Sequence, residues 1–192
     1  MNRLAPTLLC SLLVTACSAE VAIDSDPIST AIPVNSILEP TYAEVAIDLP
    51  ADTQDLAVLV KEVTATLTVV NPSNVFTLNA SACLSLTGTA TPDQPNFYTP
   101  RNLPPYYADC QNLMSANYGP NTRTDTTIPS SETFLKAVRQ PRIWFIVSNT
   151  ISNANPGPGG LPLEIRLENA VLHVLVEKNF SGLEGALGIT GL

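Results

Sequence analysis

The chain has few of the residues that build catalytic and metal sites, with one histidine, His173, and four cysteines among 192 residues. A zinc site needs several histidine or cysteine ligands, and no carboxylates stand at ligand spacing around the cysteines, so we expect neither a metal nor a cofactor. The sequence also lacks a Gly-x-Ser-x-Gly nucleophile elbow and a glycine-rich phosphate loop that opens a helix. These absences argue against the commonest hydrolase and nucleotide-binding sites.

Basic residues are scarce as well: nine lysines and arginines face seventeen acidic residues, for a net charge of −8. A surface of this sign repels phosphate backbones, so we expect no nucleic acid partner. It also repels anionic lipid head groups, so a basic patch would not attach this protein to a membrane. The apolar segment Leu4 to Val14 is about eleven residues long, which is too short to span a bilayer.

That segment follows Arg3 and is typical of a secretory signal peptide, 1–16. It ends in Leu13-Val14-Thr15-Ala16-Cys17, which resembles the lipobox of bacterial lipoproteins. The resemblance implies cleavage before Cys17 and attachment of a diacylglycerol to its thiol, so that acyl chains anchor the protein in a membrane. Ser18, in place of an aspartate, implies the outer membrane. The alternative is an ordinary secreted protein that is cut after Ala16 or Ala19.

The remaining cysteines predict a disulfide bond. Cys10 lies inside the signal peptide and Cys17 in the lipobox, which leaves Cys83 and Cys110 as an even pair. Exported proteins fold in an oxidising compartment, where such a pair is expected to be oxidised.

The rest of the chain divides into a tether and one domain. Residues 17–42 combine prolines with small polar residues and show no strand or helix period, so they are predicted to be a lipidated flexible tether. Residues 43–192 are enough for a single β-sandwich domain. The hexapeptide Ala-Glu-Val-Ala-Ile-Asp occurs at Ala19–Asp24 and again at Ala43–Asp48, and the second copy is predicted to be the first strand of the domain.

Alternating apolar and hydroxyl residues indicate β-structure, first from Val63 to Val69 and then from Phe76 to Leu86. The turn residues 71–74 between them predict a hairpin. Three other elements are predicted: a short helix, Thr133–Arg139, capped by Ser130 or Ser131, a central strand from Arg142, and a last strand from Leu163 with a bulge after Asn169. The fold class is therefore mainly β, an antiparallel β-sandwich with one short helix and a long disulfide-pinned loop.

The run Val69-Val70-Asn71-Pro72 between two alternating strands also resembles the water-stress and late-embryogenesis type of β-sandwich domain. That resemblance implies the same sandwich fold. It implies no reaction, because this family has no common catalytic residue.

The long stretch 89–129 is rich in tyrosine, asparagine and proline and is predicted to be a loop. Rigid aromatic side chains beside amides are typical of binding surfaces, so this loop is the candidate ligand site. The candidate residues are Tyr98, Arg101, Tyr106, Tyr107 and Tyr118. The alternative is that the tyrosines pack the loop onto the sheet.

Together these observations predict a lipid-anchored protein of the cell envelope with a non-catalytic module that binds an envelope protein or a glycan, or is structural. Two alternatives remain. The first is a hydrolase of envelope polymers or lipids with His173 as its base. The second is a carrier that holds an apolar molecule inside the sandwich, suggested by strands that are apolar on both faces, Arg142–Ile151 and Asn169–Val176.

Overall fold

The structure is a computed structural model that describes residues 17–49, 53, 58–152, 161 and 163–180. The predicted signal peptide, 1–16, lies outside the described residues. The described chain is mainly β and forms two antiparallel five-stranded sheets that pack face to face, which confirms the predicted β-sandwich. Ten strands build it: β1 (Cys17–Asp24), β2 (Ile28–Val34), β3 (Thr41–Asp48), β4 (Val58–Asn71), β5 (Thr77–Ser85), β6 (Asn96–Tyr98), β7 (Gln111–Tyr118), β8 (Thr122–Ile128), β9 (Arg142–Ser152) and β10 (Leu163–Phe180).

Sheet 1 has the strand order β1-β10-β4-β8, with β2 also paired to β10. Sheet 2 has the order β6-β3-β9-β5-β7. The apolar residues that alternate along these strands form two core clusters between the sheets. Leu67 and Met114 contact both clusters and join them into one interior.

The segment 17–42 is not a tether, contrary to the sequence prediction. Its strands β1 and β2 lie end to end along one side of β10, where they form an edge strand that is interrupted at residues 25–27. Ile32 and Val34 of β2 are fully buried in the core, and this burial holds the segment to the sheet. Pro33 is tolerated because an edge strand leaves every second N–H without a ladder partner.

Strands β4 and β5 show the predicted alternation, but they do not pair as a hairpin. They belong to different sheets, so residues 72–76 form an arch across the sandwich. The side chain of Asn71, which is 0% exposed, holds this arch together. Its amide nitrogen donates to the carbonyls of Phe76, Tyr118 and Gly119 at 2.9, 3.1 and 2.8 Å. A turn that is fastened to another strand can direct β5 away from β4.

The short helix and the bulge agree with the sequence. Helix α1 spans Glu132–Ala137, and the Ser131 side chain caps it by accepting the Phe134 N–H. The pairing of β10 shifts register between Leu167 and Ala170, and Asn169 has a φ of 52° there. Asparagine adopts this left-handed backbone more readily than most residues, which suits the predicted bulge.

The predicted loop 89–129 is irregular only in its first half. Its second half forms β7 and β8, the edge strands of sheet 2 and sheet 1. The irregular part, 86–110, contains the short strand β6 and a 3-10 helix, Pro105–Asp109. We call it the covering loop. The predicted disulfide is present, with Cα atoms 5.6 Å apart, and it ties Cys83 on β5 to Cys110 at the end of the covering loop.

Candidate functional site

A buried glutamate lies beneath the covering loop. Glu44 on β3 points to the outer face of sheet 2, because Val45 beside it faces the core, yet it is 0% exposed. Its Oε1 accepts the backbone N–H groups of Thr89 and Ala90 at 2.6 and 2.7 Å. Its Oε2 accepts the hydroxyls of Tyr98 and Tyr106 at 2.8 and 2.6 Å. Each oxygen therefore has two donors, as a buried carboxylate requires.

Trp144 secures the same part of the loop from the neighbouring strand. It lies opposite Ala46 in the β3–β9 pairing, and its indole Nε1 donates to the Ala90 carbonyl at 3.0 Å. The N–H of Ala90 is thus bound by Glu44 and its carbonyl by Trp144, both from sheet 2. Gly88 packs against the indole ring in the preceding turn.

Two more tyrosines, one on β3 and one in the covering loop, also connect the loop to sheet 2. The rings of Tyr42 and Tyr107 meet edge to face, with centroids 5.3 Å apart. Burial and the neighbouring Tyr107 raise the pKa of Tyr42. Burial and the hydrogen bond to Glu44 raise the pKa of Tyr106 well above the usual tyrosine range. These phenols are therefore neutral hydrogen-bond donors over the physiological pH range.

The structure brings together three of the five residues predicted to bind a ligand. Tyr98, Tyr106 and Tyr107 meet around Glu44 and Tyr42, with the hydroxyls of Tyr98 and Tyr106 directed inward. This geometry favours the alternative in which tyrosines pack the loop onto the sheet. The other two residues, Arg101 and Tyr118, lie elsewhere. Arg101 is exposed and pairs with Glu39 at 3.2 Å, whereas Tyr118 is 2% exposed within the core, where it lines an interior cavity.

Glu44, the centre of this cluster, was not among the residues predicted from the sequence. The available signal was a lone acidic residue between apolar neighbours in the second Ala-Glu-Val-Ala-Ile-Asp copy. All four of its donors come from residues 45 to 62 positions further along the chain. No local pattern reveals such partners.

The lone histidine belongs to a second polar cluster, on the outer face of sheet 1. His173 Nδ1 lies 2.8 Å from Asp24 Oδ1, and its Nε2 lies 2.8 Å from the Thr66 hydroxyl. A carboxylate, an imidazole and a hydroxyl in this order are the components of a nucleophilic triad. Sequence reasoning found the histidine but neither partner, because the three residues lie on three strands.

Acyl transfer also requires an oxyanion hole, and this triad-like cluster has none beside it among the described residues. β4 and β10 each have strand neighbours on both sides, so their backbone N–H groups belong to sheet ladders and are not free to form an oxyanion hole. The side chains of His173 and Asp24 are also 38% and 62% exposed. The geometry supports a cross-strand contact that fastens β1 to β10 more strongly than it supports hydrolysis.

A cavity of about 70 Å³ lies in the interior where the two core clusters meet. A cleft of about 480 Å³ adjoins it at the interrupted edge strand, and cavity and cleft share the lining residues Ile28, Thr30, Val45 and Ile47. The cleft has three acidic residues at its rim, Asp26, Asp48 and Asp93. Arg142 pairs with Asp48 and holds the pKa of that carboxyl below its usual value.

Exposed apolar side chains gather where β2 joins β3. Leu38 in this connection is 87% exposed, Ile37 beside it is 42% exposed, and Phe97 of the covering loop is 41% exposed. A cleft of about 280 Å³ between the connection and the covering loop is lined by Pro33, Pro40 and Phe97, among others. We call this surface the distal patch.

The described side chains include no group of three or more histidine, cysteine or acidic residues placed to hold a metal ion. Within the same residues, no helix has the length and apolarity needed to cross a bilayer.

Comparisons with known proteins add no functional assignment. No protein-family model matches the chain, and no curated protein matches it. Among solved structures, the empty head of turnip yellow mosaic virus is 10% identical, with 95% of this chain and 92% of that chain covered and a TM-score of 0.29. Infectious bursal disease virus, Gx strain, is 14% identical, with 91% and 43% covered and a TM-score of 0.32. Likenesses this weak carry no argument about function.

Proposed function

We propose that this chain is a lipoprotein of the bacterial outer membrane whose β-sandwich is a non-catalytic binding or structural module. The observation that carries the proposal is the lipobox-like Leu13-Val14-Thr15-Ala16-Cys17 after a short apolar segment. One acyl chain gives only marginal membrane binding, whereas two or three hold a protein stably. With a net charge of −8, the protein itself contributes no electrostatic attraction to anionic lipids.

The fold is consistent with attachment of the β-sandwich close to the membrane. Cys17 is the first residue of β1 and lies opposite Phe180 in the β1–β10 pairing. An anchor on Cys17 would therefore hold sheet 1 directly beside the bilayer, with no flexible spacer. β10 is 18 residues long, which is about 60 Å at roughly 3.3 Å per residue. The distal patch adjoins the opposite end of β10, where Val34 pairs with Leu163, and would point away from the membrane.

The distal patch is the surface that best suits a protein or glycan partner in this proposal. Interfaces are enriched in aromatic residues and arginine, which are here Phe97 and Arg101, and the exposed Leu38 extends the apolar surface beside them. The tyrosines beneath them contribute indirectly, because they hold the covering loop rigid.

Metabolic labelling tests the anchor. Cells that express the full chain are given radiolabelled palmitate, and we expect label on the wild-type protein, no label on Cys17→Ser, and unchanged label on the matched control Cys10→Ser. Wild-type protein that stays unlabelled and is released by a detergent-free wash would contradict the proposal.

Crosslinking of intact cells followed by mass spectrometry then tests the binding role of the β-sandwich. Partners captured by the wild type should be lost in Phe97→Ser/Arg101→Ser and kept in Asn117→Ser, an exposed position on β7.

A further inference from the structure

We infer that the interrupted edge of sheet 1 opens a binding site for a single-chain amphiphile with a cationic head group. This inference deepens the binding role proposed above and rests on that role, but it does not depend on the acyl anchor. The cleft receives the head group and the adjoining cavity receives the end of the alkyl chain.

The cavity exists because several facing positions of the core are alanines. Ala65 on β4, Ala80 and Ala82 on β5, and Ala170 on β10 all line it. Protein interiors are normally packed as densely as organic crystals, so unfilled apolar space destabilises a fold unless something occupies it. At roughly 30 Å³ for each water-sized or methylene-sized group, the cavity of about 70 Å³ has room for two or three such groups at the end of an alkyl chain.

The entrance follows from the break in the edge strand. β1 ends at Asp24 and β2 begins at Ile28, and opposite this gap the pairing of β10 shifts register at the bulge around Asn169. Ser25 keeps its hydrogen bonds to Leu172, so the gap is confined to Asp26 and Pro27, and both of these line the cleft. Ile28 and Thr30 line both spaces, so the cleft adjoins the cavity and is its inferred mouth.

The charge of the rim selects the head group. Asp48 is balanced by Arg142, whereas Asp26 and Asp93 form no ion pair within the described part of the chain. Two uncompensated carboxylates repel a sulfate, phosphate or carboxylate head and attract an ammonium head. The apolar cavity wall accepts only the hydrocarbon end of such a molecule.

The test uses the full chain in unwashed whole-cell lysate, which keeps anchored and released protein alike, and an alkyl trimethylammonium probe with a photoreactive diazirine at the end of its chain. After illumination, mass spectrometry maps the labelled residues. We expect label on Leu67 and Met114, which line the cavity. We expect about tenfold less label there in Ala82→Leu, which fills the cavity, and unchanged label in the matched control Ala31→Leu, at an exposed position on β2.

A second arm is independent of core packing. A probe with the same chain and a sulfate head should label the cavity at least about tenfold less than the ammonium probe at low salt. Asp26→Asn/Asp93→Asn should remove most of that preference, and circular dichroism checks that each variant is folded. Absence of cavity label in the wild type, equal label by both probes, or full label in folded Ala82→Leu would overturn the inference. If Ala82→Leu does not fold, the mapped positions and the head-group preference decide.

These outcomes are separate from the palmitate test. Missing palmitate label together with cavity label would remove the anchor and leave this site. Normal palmitate label without cavity label would remove this site alone.

Discussion

Gly88 lies so close to Trp144 that a β-carbon at residue 88 would come within 2.3 Å of Trp144 Cγ and 2.6 Å of Glu44 Oε1. Glycine is therefore required at this position for contact and not for an unusual backbone conformation. The contact brings the covering loop near enough for Thr89 and Ala90 to donate to Glu44.

Gly88→Ala should consequently destabilise the domain, because the loop must lift away from both side chains. We expect a loss of about 1–3 kcal/mol, the usual cost of overpacking, measured by urea unfolding. Gly119→Ala is the matched control, since its β-carbon would lie 3.6 Å from Thr122 Cγ2, an ordinary contact distance. Equal stability of the two variants would show that the loop does not pack as described.

Glu44→Gln should cost about 2–4 kcal/mol, because it replaces a charged acceptor of four hydrogen bonds by a neutral group with its own N–H donors in a buried site. The measurement is again the free energy of unfolding, with hydrogen exchange at the Thr89 and Ala90 amides as a local readout. Glu164→Gln, at an exposed position on β10, should change neither quantity. Slow exchange at both amides in Glu44→Gln would contradict the assigned role.

Alkaline pH should destabilise the folded protein. The pKa values of Tyr106 and Tyr42 are raised by burial and by their hydrogen-bond partners, so the folded state holds these phenol protons more tightly than the unfolded chain. The resulting stability is fully present below the ordinary tyrosine pKa of about 10 and is lost as pH rises above it. Urea midpoints between about pH 8 and pH 11 check this, and Tyr106→Phe should flatten the dependence. A wild-type midpoint that rises with alkaline pH would contradict the sign.

Removal of the disulfide by Cys83→Ser/Cys110→Ser should cost about 3–4 kcal/mol by the loop-entropy estimate for a sequence separation of 27 residues. The covering loop should nevertheless stay on the sheet, since Glu44 and Trp144 hold it independently. We therefore expect lower global stability with the Thr89 and Ala90 amides still the slowest to exchange within the loop. Rapid exchange of both amides in the double variant would show that the crosslink alone holds the loop.

Sequence patterns predicted the elements with a clear local period. The alternation along Val63–Val69 and Phe76–Leu86 gave two strands, and the two unassigned cysteines gave the disulfide. The pairing of those strands was wrong, because alternation defines the faces of a strand but not its neighbour. The direction in which β5 leaves β4 depends on Asn71. Its side-chain amide donates to the carbonyls of Tyr118 and Gly119, 47 and 48 positions away.

Edge strands were the elements that the sequence did not reveal. β8 reads Thr-Arg-Thr-Asp-Thr-Thr-Ile and contributes one buried residue, Ile128, so it lacks the apolar period of a central strand. β1 and β2 were obscured by Pro27 and Pro33, which mark a turn and an edge position here. For the same reason the cleft at the strand break could not be predicted, since it exists only where these segments meet β10.

The first and last described strands lie side by side, with Asp24 and His173 in contact across 149 positions. A nascent chain that has not yet delivered Leu163–Phe180 therefore has no partner for the backbone of β1 or β2, and closing so long a loop is slow. Sheet 1 can be completed only after Phe180 has left the ribosome.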